Sequence, residues 1–256
     1  MPEVSAPYAP GTPCWVDLEV PDLNKALDFY QDLFGWQVEP SPRSGGYTCT
    51  LRGKPVAGIT ATMRQEGGPP RWLTCFAVAD ADDALQAVET HGGTVLTRTT
   101  DLLTSGRTAV AADPTGATFG LWQAGDFIGA RVVNEPGSVL WNELNTPDPD
   151  KAGGFYNAAL GPTVAPLEGS PGYSLLMVGS RLVAGLQKLE DPQDGALAHW
   201  LTLFAVEDAD STADAAVRAG ATVLRKPFDM IVGRMAVLRD PQGAVFAVIK
   251  QSPIEV

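Results

Sequence analysis

The chain has few of the residues that most chemistry needs. Its 256 residues include only two histidines, His91 and His199, and three cysteines, Cys14, Cys49 and Cys75. The cysteine number is odd, the spacing has no Cys-x-x-Cys pair and all three lie in strand-like segments, so they read as free buried thiols rather than as a disulfide frame or a zinc knot. Positive charge is scarce as well: 18 Lys+Arg stand against 30 Asp+Glu, a formal charge of −12. This balance argues against binding to a phosphate backbone or an anionic membrane surface, and favours a neutral or cationic small molecule as partner. No apolar run is long enough to span a bilayer, and the start Met1-Pro2-Glu3-Val4-Ser5 has neither the basic end nor the apolar stretch of a signal peptide, which predicts a cytoplasmic protein. Nucleophile elbow, phosphate loop and dinucleotide fingerprint are all missing, and the Gly-Gly pairs read as turns.

What the chain does have is a repeat. Trp15-Val16-Asp17-Leu18-Glu19-Val20-Pro21-Asp22 followed by Ala26-Leu27-Asp28-Phe29-Tyr30 returns as Trp141-Asn142-Glu143-Leu144-Asn145-Thr146-Pro147-Asp148 followed by Ala152-Gly153-Gly154-Phe155-Tyr156. Residues 15 to 20 alternate as a half-buried strand, Asp22 caps a helix, and Gly35 stands where a left-handed residue ends one. Other segments answer each other in order: Gly46-Tyr47 and Gly172-Tyr173, Val56-Ala57-Gly58 and Val183-Ala184-Gly185, Trp72 to Val78 and Trp200 to Val206, Gly106-Arg107 and Gly233-Arg234, and the Asp-Pro-x-Gly turns at Asp113 and Asp240. Trp15 to Trp141 is 141 − 15 = 126 positions and Arg107 to Arg234 is 234 − 107 = 127, so the copies drift by about one residue. At this period the chain is a duplicated domain.

Within each half the opening pattern recurs in weaker form. Residues 75–85 echo residues 17–27, with Val78 matching Val20 and Asp80 matching Asp22. The boundaries follow: an N-terminal domain over 1–125 that begins with a Pro- and Gly-rich arm, a linker over 126–138, and a C-terminal domain over 139–256. Turns are expected at residues 52–55 and 67–70. Phe29, Tyr30, Phe155 and Tyr156 belong to the core, and Trp72 and Trp200 should pack against helices.

Four successive strand–helix–three-strand modules, opening on Val-x-Asp-Leu-x-x-Ala-x-x-Phe-Tyr and closing on Asp-Pro-x-Gly, resemble the vicinal-oxygen-chelate superfamily. That group holds glyoxalase I, fosfomycin-modifying enzymes, extradiol dioxygenases and bleomycin-resistance proteins. The sequence is most similar to actinobacterial two-domain members. The resemblance implies an α+β fold of two tandem glyoxalase-like domains, each of two paired βαβββ modules forming a cupped mixed sheet. In metal-using relatives each cup offers three ligands. The matching positions here are Trp15, Leu73 and Gly120 in the first half and Trp141, Leu201 and Ala247 in the second. None carries a carboxylate, imidazole or thiolate, so no metal and no other cofactor is expected. His199 shares strand parity with Leu201 and could face the second cup near Glu143, but no third ligand accompanies it; His91 beside its glycine pair suits a solvated helix end.

The strand face that would bear the lost ligands reads Trp15, Asp17, Glu19 in one half and Trp141, Glu143, Asn145 in the other. An indole followed by carboxylates on a concave sheet suits stacking and charge pairing with a planar, partly cationic organic molecule; the plainer alternative is that the tryptophans fill space and the acids face water. Tyr47, Tyr173 and His199 are further candidates for the cup linings. Arg107 and Arg234 either hold a ligand anion or form structural ion pairs. The expectation is a metal-independent small-molecule binder of the sequestering or bleomycin-resistance kind. The rivals are a cofactor-free enzyme using Asp17 or Glu143 as general base, a scaffold whose cups are filled, and a metal-dependent glyoxalase or dioxygenase, against which the missing ligands count. By resemblance the fused halves make either a self-sufficient monomer with pseudo-two-fold symmetry or a homodimer.

Overall fold

The computed structural model describes residues 3–43, 45–62, 70–189 and 197–252. The first module runs β1 (Pro13–Val20), α1 (Leu23–Phe34), β2 (Gln37–Pro40), β3 (Tyr47–Leu51), β4 (Lys54–Ala61), and the second β5 (Trp72–Ala77), α2 (Ala81–Thr90), β6 (Thr94–Asp101), β7 (Gly106–Ala112), β8 (Thr118–Ala124). The second half repeats this with β9 (Val139–Thr146), α3 (Pro149–Leu160), β10 (Thr163–Pro166), β11 (Tyr173–Val178) and β12 (Arg181–Lys188), then β13 (His199–Ala205), α4 (Ala209–Arg218), β14 (Thr222–Met230), β15 (Gly233–Arg239) and β16 (Val245–Gln251). Each half builds one eight-stranded mixed sheet, ordered β2-β3-β4-β1-β5-β8-β7-β6 and β10-β11-β12-β9-β13-β16-β15-β14. The fold is α+β with two tandem sheets of the kind that the family resemblance implies.

Local chemistry sets the elements. Asp22, Asp80, Asp148 and Asp208 each cap a helix by accepting backbone N–H groups of its first turn, and Gly35 and Gly161 close α1 and α3 with positive φ. β2 and β10 are short, largely exposed edge strands ending in proline. They lack the apolar alternation that marks a strand in sequence. The expected turn at residues 67–70 lies almost wholly outside the described residues.

The two halves share their cores. One buried cluster joins β1, α1, β3 and β4 to Phe204, α4 and the inner faces of β15 and β16; the other joins β5, α2, β7 and β8 to α3, β11 and β12. Each module therefore pairs through the sheet with its neighbour in sequence and through its helix with a module of the other half, α1 against α4 and α2 against α3. The Phe-Tyr dipeptides clamp this arrangement. Tyr30 donates its hydroxyl proton to Asp240 Oδ2 of the far half at 2.9 Å and accepts from Trp72 Nε1 at 3.1 Å. Tyr156 does the same with Asp113 at 3.1 Å and Trp200 at 2.8 Å. The other oxygen of each aspartate fixes its own Asp-Pro-x-Gly turn by accepting from Ala117 N or Ala244 N. At the centre Thr74 and Thr202 both donate to Asn142 Oδ1. With helices and cores between the sheets, the concave faces point outward.

The linker is hydrogen-bonded to both halves, with Gly137 N donating to Ala205 O of the second. Ala130 N bonds to Cys14 O and Arg131 N to Pro55 O; Val132 is fully buried and bridges to Glu3 of the N-terminal arm. All three cysteines are free and buried.

Candidate functional site

The cups differ despite the repeat. In the N-terminal cup β1 turns Trp15, Asp17 and Glu19 to the concave face, with Glu19 exposed at the rim. Trp15 Nε1 donates to Asp17 Oδ1 at 2.8 Å. Gly58 on β4 makes room for that carboxylate, since a Cβ there would collide with it. Part of Asp17 still meets solvent, but protein atoms surround it, and desolvation raises its pKa against the lowering effects of Trp15 and the Arg43 charge. The linker closes this cup. Phe127 sets its ring edge-on to Trp15 with centroids 4.9 Å apart and accepts at its carbonyl from Trp122 Nε1. Arg43 lies with Cζ 3.4 Å from the Phe127 ring centroid and 5.5 Å from that of Trp15, and donates to Thr48 Oγ1.

In the C-terminal cup Trp141, Glu143 and Asn145 take the same places on β9. Trp141 is half-buried, and its Nε1 donates to the Tyr173 hydroxyl at 3.1 Å; the Glu143 carboxylate lies near that hydroxyl and near Asn145, both of which favour its ionised form. Gly185 on β12 clears the space, because a Cβ there would strike Tyr173 Oη. Burial lifts the Glu143 carboxyl above the ordinary range, with Tyr173 and Asn145 opposing. Leu201, Leu203, Met235, Ala247 and Ile249 form the apolar wall. A cleft of about 630 Å³ between the loop after β10, the turn leading into α3 and Lys188 touches Tyr173 but is lined by neither Trp141 nor Glu143. His199 is exposed, opposite Asn145 in register, with Nδ1 2.9 Å from Leu197 O.

Three expectations are corrected. Tyr47 does not line the first cup: it packs on the helix side against the first core. The paired dipeptides are one residue out of step, because Thr48 sits opposite Gly58 while Leu175 sits opposite Gly185. The place of Tyr173 is thus held by Gly46, and a one-residue slip turns a strand side chain to the other face. Arg107 and Arg234 also leave the cups. They share a face with Ala109 and Ala236, which belong to the cores, and they make ion pairs with Asp82 and Asp101, and with Asp210 and Asp229. Arg43 and Phe127 are the contributors that sequence reasoning missed: Arg43 sits in a loop with no arginine in the other copy, and Phe127 in a linker with no repeat partner.

A divalent metal does not fit the six mapped positions. Register corrects two of those positions: Cys75, not Leu73, lies beside Trp15 and Gly120, and Leu203, not Leu201, lies beside Trp141 and Ala247. An indole, a buried thiol whose pKa burial drives up, and aliphatic carbon occupy the place of the donors. Among the described residues no group of three His, Cys, Asp or Glu side chains is arranged to hold an ion.

Paired βαβββ modules closing two outward cups define a class that sequence comparison also reaches. Residues 14–121 match the Glyoxalase/Bleomycin resistance protein/Dioxygenase superfamily and residues 141–249 the Glyoxalase-like domain, and the chain belongs to that superfamily. Among its relatives is the Mycobacterium tuberculosis protein named "Putative glyoxylase CFP32", 45% identical over 96% of this chain and 97% of that one. The anthracycline biosynthesis protein DauV of Streptomyces sp. strain C5 is 41% identical over 95% of this chain and 94% of its own. In fold it is similar to the Mn(II)-bound glyoxalase of Novosphingobium aromaticivorans, with a TM-score of 0.65 and 15% identity over 94% of this chain and 83% of that one. The 2,3-dioxygenase LapB of Pseudomonas sp. KL28 gives the same TM-score at 14% identity, over 94% and 92%. No helix among the described residues is long and apolar enough to cross a membrane.

Proposed function

We propose that the C-terminal cup binds a small aromatic or cationic organic molecule without a metal, and that the protein serves to sequester it. The observation that carries this reading is the grouping of Trp141, Tyr173 and Glu143: a half-buried indole bonded to a phenol, with a buried carboxylate near both, on an apolar wall. Ligand pockets combine an apolar lining with a few placed polar groups in this way. DauV, by its name, takes part in anthracycline biosynthesis; anthracyclines are polycyclic aromatic compounds, so a related protein works among molecules of the shape the cup suits. The ligand is the partner in this reading, nucleic acid is not, and the shared cores make a single chain self-sufficient.

A second reading is favoured by one observation, the raised Glu143 pKa. A buried carboxylate of that kind can act as general base toward a phenolic or keto substrate. Asp17 has a similar shift but lies beneath Phe127 and Arg43.

Native mass spectrometry after exposure to a small-molecule extract of the host separates the two. Sequestration predicts an organic compound that is released unchanged on denaturation. A released compound differing in mass from the one supplied means turnover, and a stoichiometric metal required for retention overturns both readings.

A further inference from the structure

Arg43 does in the N-terminal cup what a ligand would do in the other. Its guanidinium lies over Phe127 and beside Trp15, bonds to Thr48 Oγ1, and places its charge near Asp17. The repeat puts Trp15 and Asp17 in the places of Trp141 and Glu143, 126 positions apart. Arg43 reaches the cup from the loop between β2 and β3. The corresponding loop between β10 and β11 reads Leu167-Glu168-Gly169-Ser170-Pro171-Gly172 and carries no arginine or lysine. The C-terminal cup has a guanidinium over a ring at another place, Arg225 Cζ 3.4 Å from the Phe228 centroid, but none of the groups that shift the Glu143 carboxyl is basic. Among the described residues Glu143 makes no ion pair, and the polar groups that act on it are those of Tyr173 and Asn145.

We propose that the ligand of the C-terminal cup presents a planar organic cation, of the guanidinium or amidinium class, which stacks on Trp141 and pairs with Glu143 where Arg43 meets Trp15 and Asp17 in the other cup. This rests on the reading of the cup as a binding site and narrows it. A flat cation gains from the negative face of an indole and from charge-assisted hydrogen bonds to a carboxylate, and the gain rises when water is excluded. The N-terminal cup, already holding its own guanidinium, is a closed copy of the site.

The test compares benzamidinium with benzamide, nearly the same shape but neutral, on the full-length protein by isothermal titration calorimetry with tryptophan fluorescence as a second readout. Benzamidinium is expected to bind about tenfold more tightly, equivalent to about 1.4 kcal/mol. Glu143→Gln should remove that preference and leave benzamide binding unchanged. Arg43→Met, which keeps the aliphatic stem, should add a second benzamidinium equivalent in the N-terminal cup. Equal binding of the two probes, or a preference that survives Glu143→Gln, overturns the cation assignment while the cup remains a binding site. Binding of neither probe in the millimolar range overturns both.

Discussion

Replacing Tyr30 with phenylalanine tests the clamp that holds the halves back to back. The hydroxyl lies between Trp72 Nε1 at 3.1 Å and Asp240 Oδ2 at 2.9 Å, and all three residues are buried. Tyr30→Phe keeps the ring, with its stacked and edge contacts to Phe34, Trp36, Trp72 and Phe246, and takes away only the oxygen. Two groups then lose a partner. A hydrogen bond to a charged acceptor contributes about 1.5–3 kcal/mol, and a buried N–H left alone costs about 1–3 kcal/mol. The losses share one atom and overlap, so the expected destabilisation is about 3 kcal/mol, seen in urea unfolding as a lower midpoint at constant m-value. In a scanning experiment a chain of this size should lose about 6–12 °C in Tm. Tyr156→Phe is an internal replicate, because Asp113 and Trp200 reproduce the geometry. A loss below about 1 kcal/mol in both variants would mean that water replaces the hydroxyl and that the clamp does not hold the halves together.

Gly185→Ala drives a methyl group into Tyr173 Oη and should abolish benzamidinium binding without deleting a polar group, whereas Gly58→Ala, which crowds Asp17, should leave C-terminal binding intact; fluorescence titration reads both. Glu143→Gln should stabilise the protein at neutral pH. The folded carboxyl has a raised pKa, so between the ordinary glutamate value and the raised one the native state holds a proton that the unfolded chain releases, and stability falls as pH rises through that window. The variant's advantage in denaturant midpoint should therefore be present at pH 7 and absent at about pH 3.5, below the ordinary glutamate value; an equal advantage at both refutes the assignment. Arg234→Met should cost little, with the cost fading in high salt, and should not change ligand affinity, since its ion pairs with Asp210 and Asp229 lie in solvent on the far face of the sheet.

Much of the fold was legible because the duplication writes every element twice. The aspartate caps, glycine stops and buried Phe-Tyr pairs are local signals, and the structure places them as read. β2 and β10 were not legible, since an exposed four-residue edge strand has no alternation to detect. In the candidate site, Trp15, Asp17, Trp141 and Glu143 follow from strand parity next to a recognisable cap. Tyr47 failed because sequence matching aligned two Gly-Tyr dipeptides, while the loop after β10 is one residue longer than that after β2 and shifts the register.

The sequence by itself determined the duplicated architecture and the strand faces that bear the indoles and acids. These are matters of residue identity and short-range period, which one chain displays directly. The tertiary structure decided that the halves share two cores, that Tyr30 and Tyr156 reach across to the opposite turns, and that Phe127 and Arg43 cover Trp15 in one cup while Trp141 stays half-buried in the other. These depend on contacts between residues up to 210 positions apart, and no local pattern records which distant side chain will fill a given space.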